Sequence, residues 1–249
     1  MDQPEKQNFS IEDAQPQMSF ITVFLILVAI VWGVALGLVV LPGLLPGYSQ
    51  SLSSTQPKVF WYLARSSAIV AYFLLWLTMV FGVGVTNKLS TRWPGLARTN
   101  ELHQYVSILG IAFGLFHGLI LLGDQYMNFS WWQILVPFST SSYRPLAVGL
   151  GQLAFYSWVV ILISFYVRRK IGAKVWRGIH YFSYFTYLGV LVHALLAGTD
   201  AAAPWMIWFY WITGGAVLFL TVYRVLYEME NARQKKERLL ARNQLQSSD

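Results

Sequence analysis

The sequence predicts an all-α integral membrane protein, a six-helix bundle, on three observations. Of its 249 residues 56% are hydrophobic and 12% charged, against about 25% charged in an ordinary soluble domain. Six apolar runs free of charged residues are long enough to cross a hydrocarbon core of roughly 30 Å, which takes about 20 helical residues. Those runs are rich in Leu, Ile, Val, Phe and Trp and do not alternate apolar with polar residues, so helices are expected and barrel strands are not.

In chain order the runs are Phe20–Pro46, Ser66–Val85, Leu102–Gly123, Pro145–Val167, Gly178–Leu196 and Pro204–Tyr223. The organisation expected is an N-terminal tail over 1–19, a six-span domain over 20–226 and a basic tail over 227–249. Asp2, Glu5, Lys6, Glu12 and Asp13 make the start too polar for a signal peptide, so the first span is expected to be retained. Assigning loops alternately to the two sides places 15 of the 18 Lys and Arg together. They include Lys6, Lys88, Arg92, Arg98, the Arg168–Arg177 cluster and the C-terminal cations, leaving Lys58, Arg65 and Arg144 opposite. Cytoplasmic loops retain positive charge, so both termini are expected in the cytoplasm and the protein in the plasma membrane as a multi-pass chain.

The net charge of +7 is therefore read as topology, with no nucleic-acid partner. The absence of cysteine excludes disulfides, iron–sulfur clusters, thiolate zinc sites and cysteine nucleophiles. After Tyr223, mixed Arg, Lys and Glu residues allow either a helix lying near anionic headgroups or a solvated tail. Some 25 residues are too few for a flavin or nicotinamide domain.

All four histidines fall in two spans: His103 and His117 in the third, His180 and His193 in the fifth. An ionisable or ligating side chain in a bilayer is costly and marks a functional candidate, although an imidazole can also simply bond to a neighbouring helix. Fourteen residues of ideal helix leave His103 and His117 about 40° apart in angle and about 21 Å apart along the axis. Gly110 and Gly114 lie on the same stripe, bare backbone against which a large flat group or another helix could rest. In the fifth span thirteen residues leave the rings about 140° apart, so that helix needs a bend or altered winding, which Gly189 permits. The third and fifth spans run parallel, so His103 faces His180 near the cytoplasmic side and His117 faces His193 nearer the outside. Two stacked bis-histidine sites follow, suited to iron held axially in a porphyrin between the third and fifth helices. Zinc wants four close ligands, and acid–base catalysis wants an acidic partner that these spans lack.

With these residues in view the chain resembles the ferric reductase-like transmembrane family, which includes the membrane core of the NADPH oxidases. The resemblance rests on histidine pairs with 13 and 12 intervening residues on alternate helices. Supporting marks are Arg65-Ser66-Ser67, Trp176-Arg177-Gly178-Ile179-His180 and Gly198-Thr199-Asp200. It covers roughly Trp61 to Tyr223. It implies a b-type cytochrome with two haems b, axially held by His103, His117, His180 and His193, carrying electrons to an outside acceptor such as a ferric chelate, oxygen or a partner protein. FAD or FMN is expected only on a separate partner, so a cytoplasmic flavoprotein reductase or a quinol is the expected donor. The chain also resembles, more loosely, the haem membrane subunit that serves a separate periplasmic methionine sulfoxide reductase.

Haem propionates are anionic, and arginine holds carboxylates bidentately. The candidates are Arg65 and Arg144 outside and Arg98 and Arg177 inside. Gly149-Leu150-Gly151-Gln152-Leu153-Ala154 has the letters of a dinucleotide fingerprint but opens a membrane span, so it is read as helix packing. The Asn128-Phe129-Ser130-Trp131-Trp132 loop is read as an interfacial aromatic anchor. The rival expectations are a quinol-linked membrane cytochrome and a non-redox scaffold whose histidines only bridge helices.

Overall fold

A computed structural model describes residues 15–44, 59–87, 89, 91, 94–124, 127–140 and 143–246. Among them all regular structure is helical: α1 (Phe20–Leu44), α2 (Val59–Thr86), α3 (Leu96–Ile120), α4 (Trp131–Leu135), α5 (Pro145–Ile171), α6 (Ala173–Tyr181), α7 (Ser183–Ala197) and α8 (Pro204–Gln246). Six stretches are long and apolar enough to cross a membrane, the fifth made of α6 and α7 together. Phe24, Trp32, Phe185, Trp208, Trp211 and Phe219 are all more than half exposed. Apolar surface of that kind suits a lipid bilayer. The sequence reading of Lys6, Lys58, Lys88, Arg92 and the first 14 residues lies outside the described residues.

The helix ends follow local chemistry. Ser19 caps α1, its hydroxyl accepting from the Thr22 N–H at 3.0 Å. Pro145 starts α5, where its missing N–H costs nothing. Three cations, Arg168, Arg169 and Lys170, close α5 against the negative end of its dipole. Gly172 then separates α5 from α6 at φ 83°, a conformation that disfavours side chains.

Two helix pairs are intimate, α2 on α3 and α5 on α7, while α3 packs more lightly on α5 and α2 on α7 and α8. The histidine-bearing α3 does not make the close backbone approach of those pairs to α6 or α7, which carry the other two histidines. Between the pairs lies a core of Tyr72, Leu75, Met79, Ile111, Trp158, Tyr187 and Val217. Its polar atoms are satisfied across three helices, with the Tyr72 hydroxyl 2.6 Å from Thr213 Oγ1 and 3.1 Å from the Tyr187 hydroxyl.

Two expectations are corrected. The fifth span is interrupted at Phe182, not at Gly189. There the Phe182 N–H bonds to the Ile179 carbonyl in a tightened turn. Gly189 instead serves close packing, since a Cβ on it would come within 3.1 Å of the Ala154 Cβ on α5. The C-terminal tail is helical, but as an unbroken continuation of the last span. At about 1.5 Å per residue α8 is roughly 65 Å long, so it runs on along its own axis and does not turn to lie across the bundle end.

Gly110 sits seven residues from each histidine of α3, and a Cβ there would overlap the indole of Trp158. That indole is anchored by its N–H to Ser107 Oγ at 3.1 Å. The Gly110→Ala variant is therefore expected to destabilise the protein by about 1–3 kcal/mol through overpacking. Adding a smaller side chain at position 158 should recover part of the loss, measured by thermal unfolding in detergent.

Candidate functional site

The fifth span is interrupted at Phe182, between its two histidines. His180 on α6 and His193 on α7 both reach the histidines of α3. The ring centroids of His103 and His180 are 6.1 Å apart at an interplanar angle of 66°. Those of His117 and His193 are 6.4 Å apart at 68°. The histidines thus come together in the two pairs that the spacing predicts. Among the described residues no group of three or more His, Cys, Asp or Glu gathers into a metal site.

Three of the four imidazoles are fixed from behind in one way. His103 Nδ1 lies 2.9 Å from the Thr78 carbonyl oxygen, His117 Nδ1 2.8 Å from that of Ala64, and His193 Nδ1 2.8 Å from that of Ala147. A carbonyl only accepts, so Nδ1 donates and the neutral ring is left with its Nε2 lone pair. Each accepting carbonyl belongs to an adjacent helix, α2 or α5. For the ring to reach it, the residue one helical turn further on must be small. Those residues are Gly82, Ala68 and Gly151. A Cβ on Gly82 would stand 3.0 Å from the His103 ring, and one on Gly151 only 2.5 Å from His193 Nδ1.

At the His117–His193 pair both Nδ1 atoms are committed, so the two Nε2 lone pairs are the open positions of the pair. No hydrogen bond joins the rings in either pair among the described residues. Imidazole–metal bonds are about 2 Å, so one metal ion would have room between two rings whose centroids are about 6 Å apart, and each pair would be able to hold it.

The His103–His180 pair opens onto a cavity of about 410 Å³ lined by, among others, His103, His180, Trp158, Trp176, Arg177 and Arg224. The Trp176 ring lies 5.3 Å from that of His180, tilted by 33°. Its indole Nε1 is buried without a hydrogen-bond partner among the described residues.

The arginines named from sequence divide. Arg65 binds Asp200 in a two-point ion pair, Nε to Oδ2 at 2.7 Å and Nη2 to Oδ1. Two of the short sequence marks are thus joined, tying the α7–α8 turn to α2 beside the Ala64 carbonyl that holds His117. Arg144 donates to the Leu196 carbonyl and caps the end of α7. Arg177 lines the cavity. Arg98 is exposed and does not line it. Gly110 and Gly114 face Trp158 and Phe155 of α5, so here the bare stripe receives aromatic side chains from a neighbouring helix.

Sequence reasoning missed Gly82, Gly151 and Arg224. Gly151 lies in the stretch read as helix packing. Its signal was its place four residues after Ala147, which has no meaning until a histidine is known to bond there.

No family model matches the chain, and neither a curated protein nor a solved structure does so.

The carbonyl seats fix a tautomer. Nitrogen-15 NMR of histidine-labelled protein should show His103, His117 and His193 protonated on Nδ1. Replacing Gly151 with Ala should remove that signature from His193 alone.

Proposed function

We propose that the protein is a dihaem b-type membrane cytochrome, the transmembrane electron-carrying component of a reductase. The observation that carries this reading is the His117–His193 pair: two imidazoles locked by helix carbonyls through Nδ1, their Nε2 lone pairs left open and their ring centroids 6.4 Å apart. A haem when bound supplies one-electron chemistry at its iron, with the potential tuned by ligand basicity, burial and nearby charge. His103 and His180 would hold one haem, and His117 and His193 the other, with the two levels about 21 Å apart along α3.

The chain's own residues do the positioning. Thr78, Ala64 and Ala147 orient three ligands, and Gly82 and Gly151 make room for two of the rings. Trp158, wedged against Gly110 midway along α3, keeps the two levels apart. Arg65 and Arg144 at the His117 end retain guanidinium N–H groups beyond those already bonded, and a guanidinium has five. They are the candidates there for carboxylates.

Arg98, Arg168, Arg169, Lys170, Lys174, Arg177 and Arg224 all belong to the His103 end of the bundle. By the positive-inside rule that end is cytoplasmic. The donor is accordingly a cytoplasmic flavoprotein or a quinol, and the acceptor lies outside.

A non-redox scaffold would also use histidines to bridge helices, and the Nδ1–carbonyl bonds alone suit it. It has no need for ligating nitrogens left open in facing pairs. The experiment is the haem-to-protein ratio of detergent-purified material by pyridine haemochrome, with a reduced-minus-oxidised spectrum. Two low-spin b haems per chain are expected. The Gly151→Ala variant should keep one. Colourless protein even after haem-supplemented expression would replace the cytochrome with the scaffold.

A further inference from the structure

The cavity at the His103–His180 end is lined by a cation of the last span, Arg224. Arg224, on α8, donates to the Tyr184 hydroxyl at 3.4 Å and to the Tyr181 hydroxyl at 3.2 Å. Its guanidinium also lies 5.3 Å from the centre of the Tyr181 ring. Tyr181 ends α6 and Tyr184 lies in the first turn of α7, so Arg224 grips both sides of the interruption at Phe182. Arg224, Tyr181, Tyr184 and His180 all line the cavity.

Two long hydrogen bonds to neutral hydroxyls leave most of a guanidinium's five N–H groups uncommitted. Across the same cavity the Trp176 indole N–H is 95% buried by residue and has no partner among the described residues. A buried donor without an acceptor costs about 1–3 kcal/mol. A charged fork and an orphaned N–H line one cavity, and no carboxylate lines it among the described residues. An anionic oxygen group entering with a flat, apolar body would satisfy both.

We infer that Arg224 and the Trp176 indole N–H form the carboxylate-binding part of the His103–His180 site and hold the propionate edge of its haem. The inference rests on the dihaem reading and deepens it, adding Arg224 to Arg177 as an inner propionate contact in place of Arg98, which does not line the cavity. A clamp that only braces the α6–α7 junction is the alternative. It would act on fold stability and on both histidine pairs together, since His193 is carried on α7.

The test uses the full chain, purified with haem. Redox titration of the absorbance bands resolves two waves, and His103→Ala identifies the wave of the inner site by its disappearance. In Arg224→Gln the inner haem is expected to be retained about tenfold less tightly on transfer to apomyoglobin, the loss of one charge-assisted hydrogen bond. Its wave should move to lower potential because a positive charge has gone, while the outer wave stays. Arg224→Lys should restore most of the potential and less of the retention, since lysine supplies charge without the fork.

Trp176→Phe keeps an aromatic ring beside His180 and removes the N–H with part of the ring. It should weaken inner retention in the same direction, and it decides the matter should Arg224→Gln fail to fold. Both variants keeping the inner haem at wild-type affinity and potential would overturn the inference with the dihaem reading intact. So would equal loss from both sites. A haem-free wild-type protein would overturn both.

Discussion

An imidazole inside an apolar bundle has two ring nitrogens, and one of them always carries a proton that needs an acceptor. In three of four cases that acceptor is a main-chain carbonyl of a neighbouring helix, already part of the helical ladder and using its second lone pair. The rest of the site follows from that bond. It sets the tautomer, turns the other nitrogen outward, and requires a small residue one turn beyond the carbonyl. Gly82 and Gly151 are small because His103 and His193 rest on them.

The same constraint shapes the bundle. Rings held from behind by α2 and α5 project into the space between α3 and the α6–α7 pair, so those elements stay apart while α2–α3 and α5–α7 pack closely. Trp158 fills part of that space at the height of Gly110. The break at Phe182 lies between the two histidines of one span, which a straight helix would aim in different directions. Arg224 then ties the two sides of the break to α8.

Much of this was legible in the sequence because hydropathy and spacing are local. All six spans follow from run length, and the pairing of His103 with His180 and of His117 with His193 follows from the parallel direction of the third and fifth spans, although the pitch of a straight fifth helix would not aim both of its rings at α3. The Gly189 bend did not. Glycine permits a bend without requiring one, and packing against Ala154 uses Gly189 for close approach instead. Gly110 and Gly114 were legible as bare backbone, but what fills the bareness is set by α5, far away in sequence. Arg65 shows the same limit from another side: its charge was plain, but its partnership with Asp200 spans 135 residues.

The central claim is that the four histidines act as two pairs, each serving one redox centre. Single replacement of each histidine by alanine, followed by redox titration of the purified variants, tests it most directly. His103→Ala and His180→Ala should abolish the same wave, and His117→Ala and His193→Ala the other. Loss of one wave from His103→Ala and the other from His180→Ala would contradict the pairing and the architecture built on it.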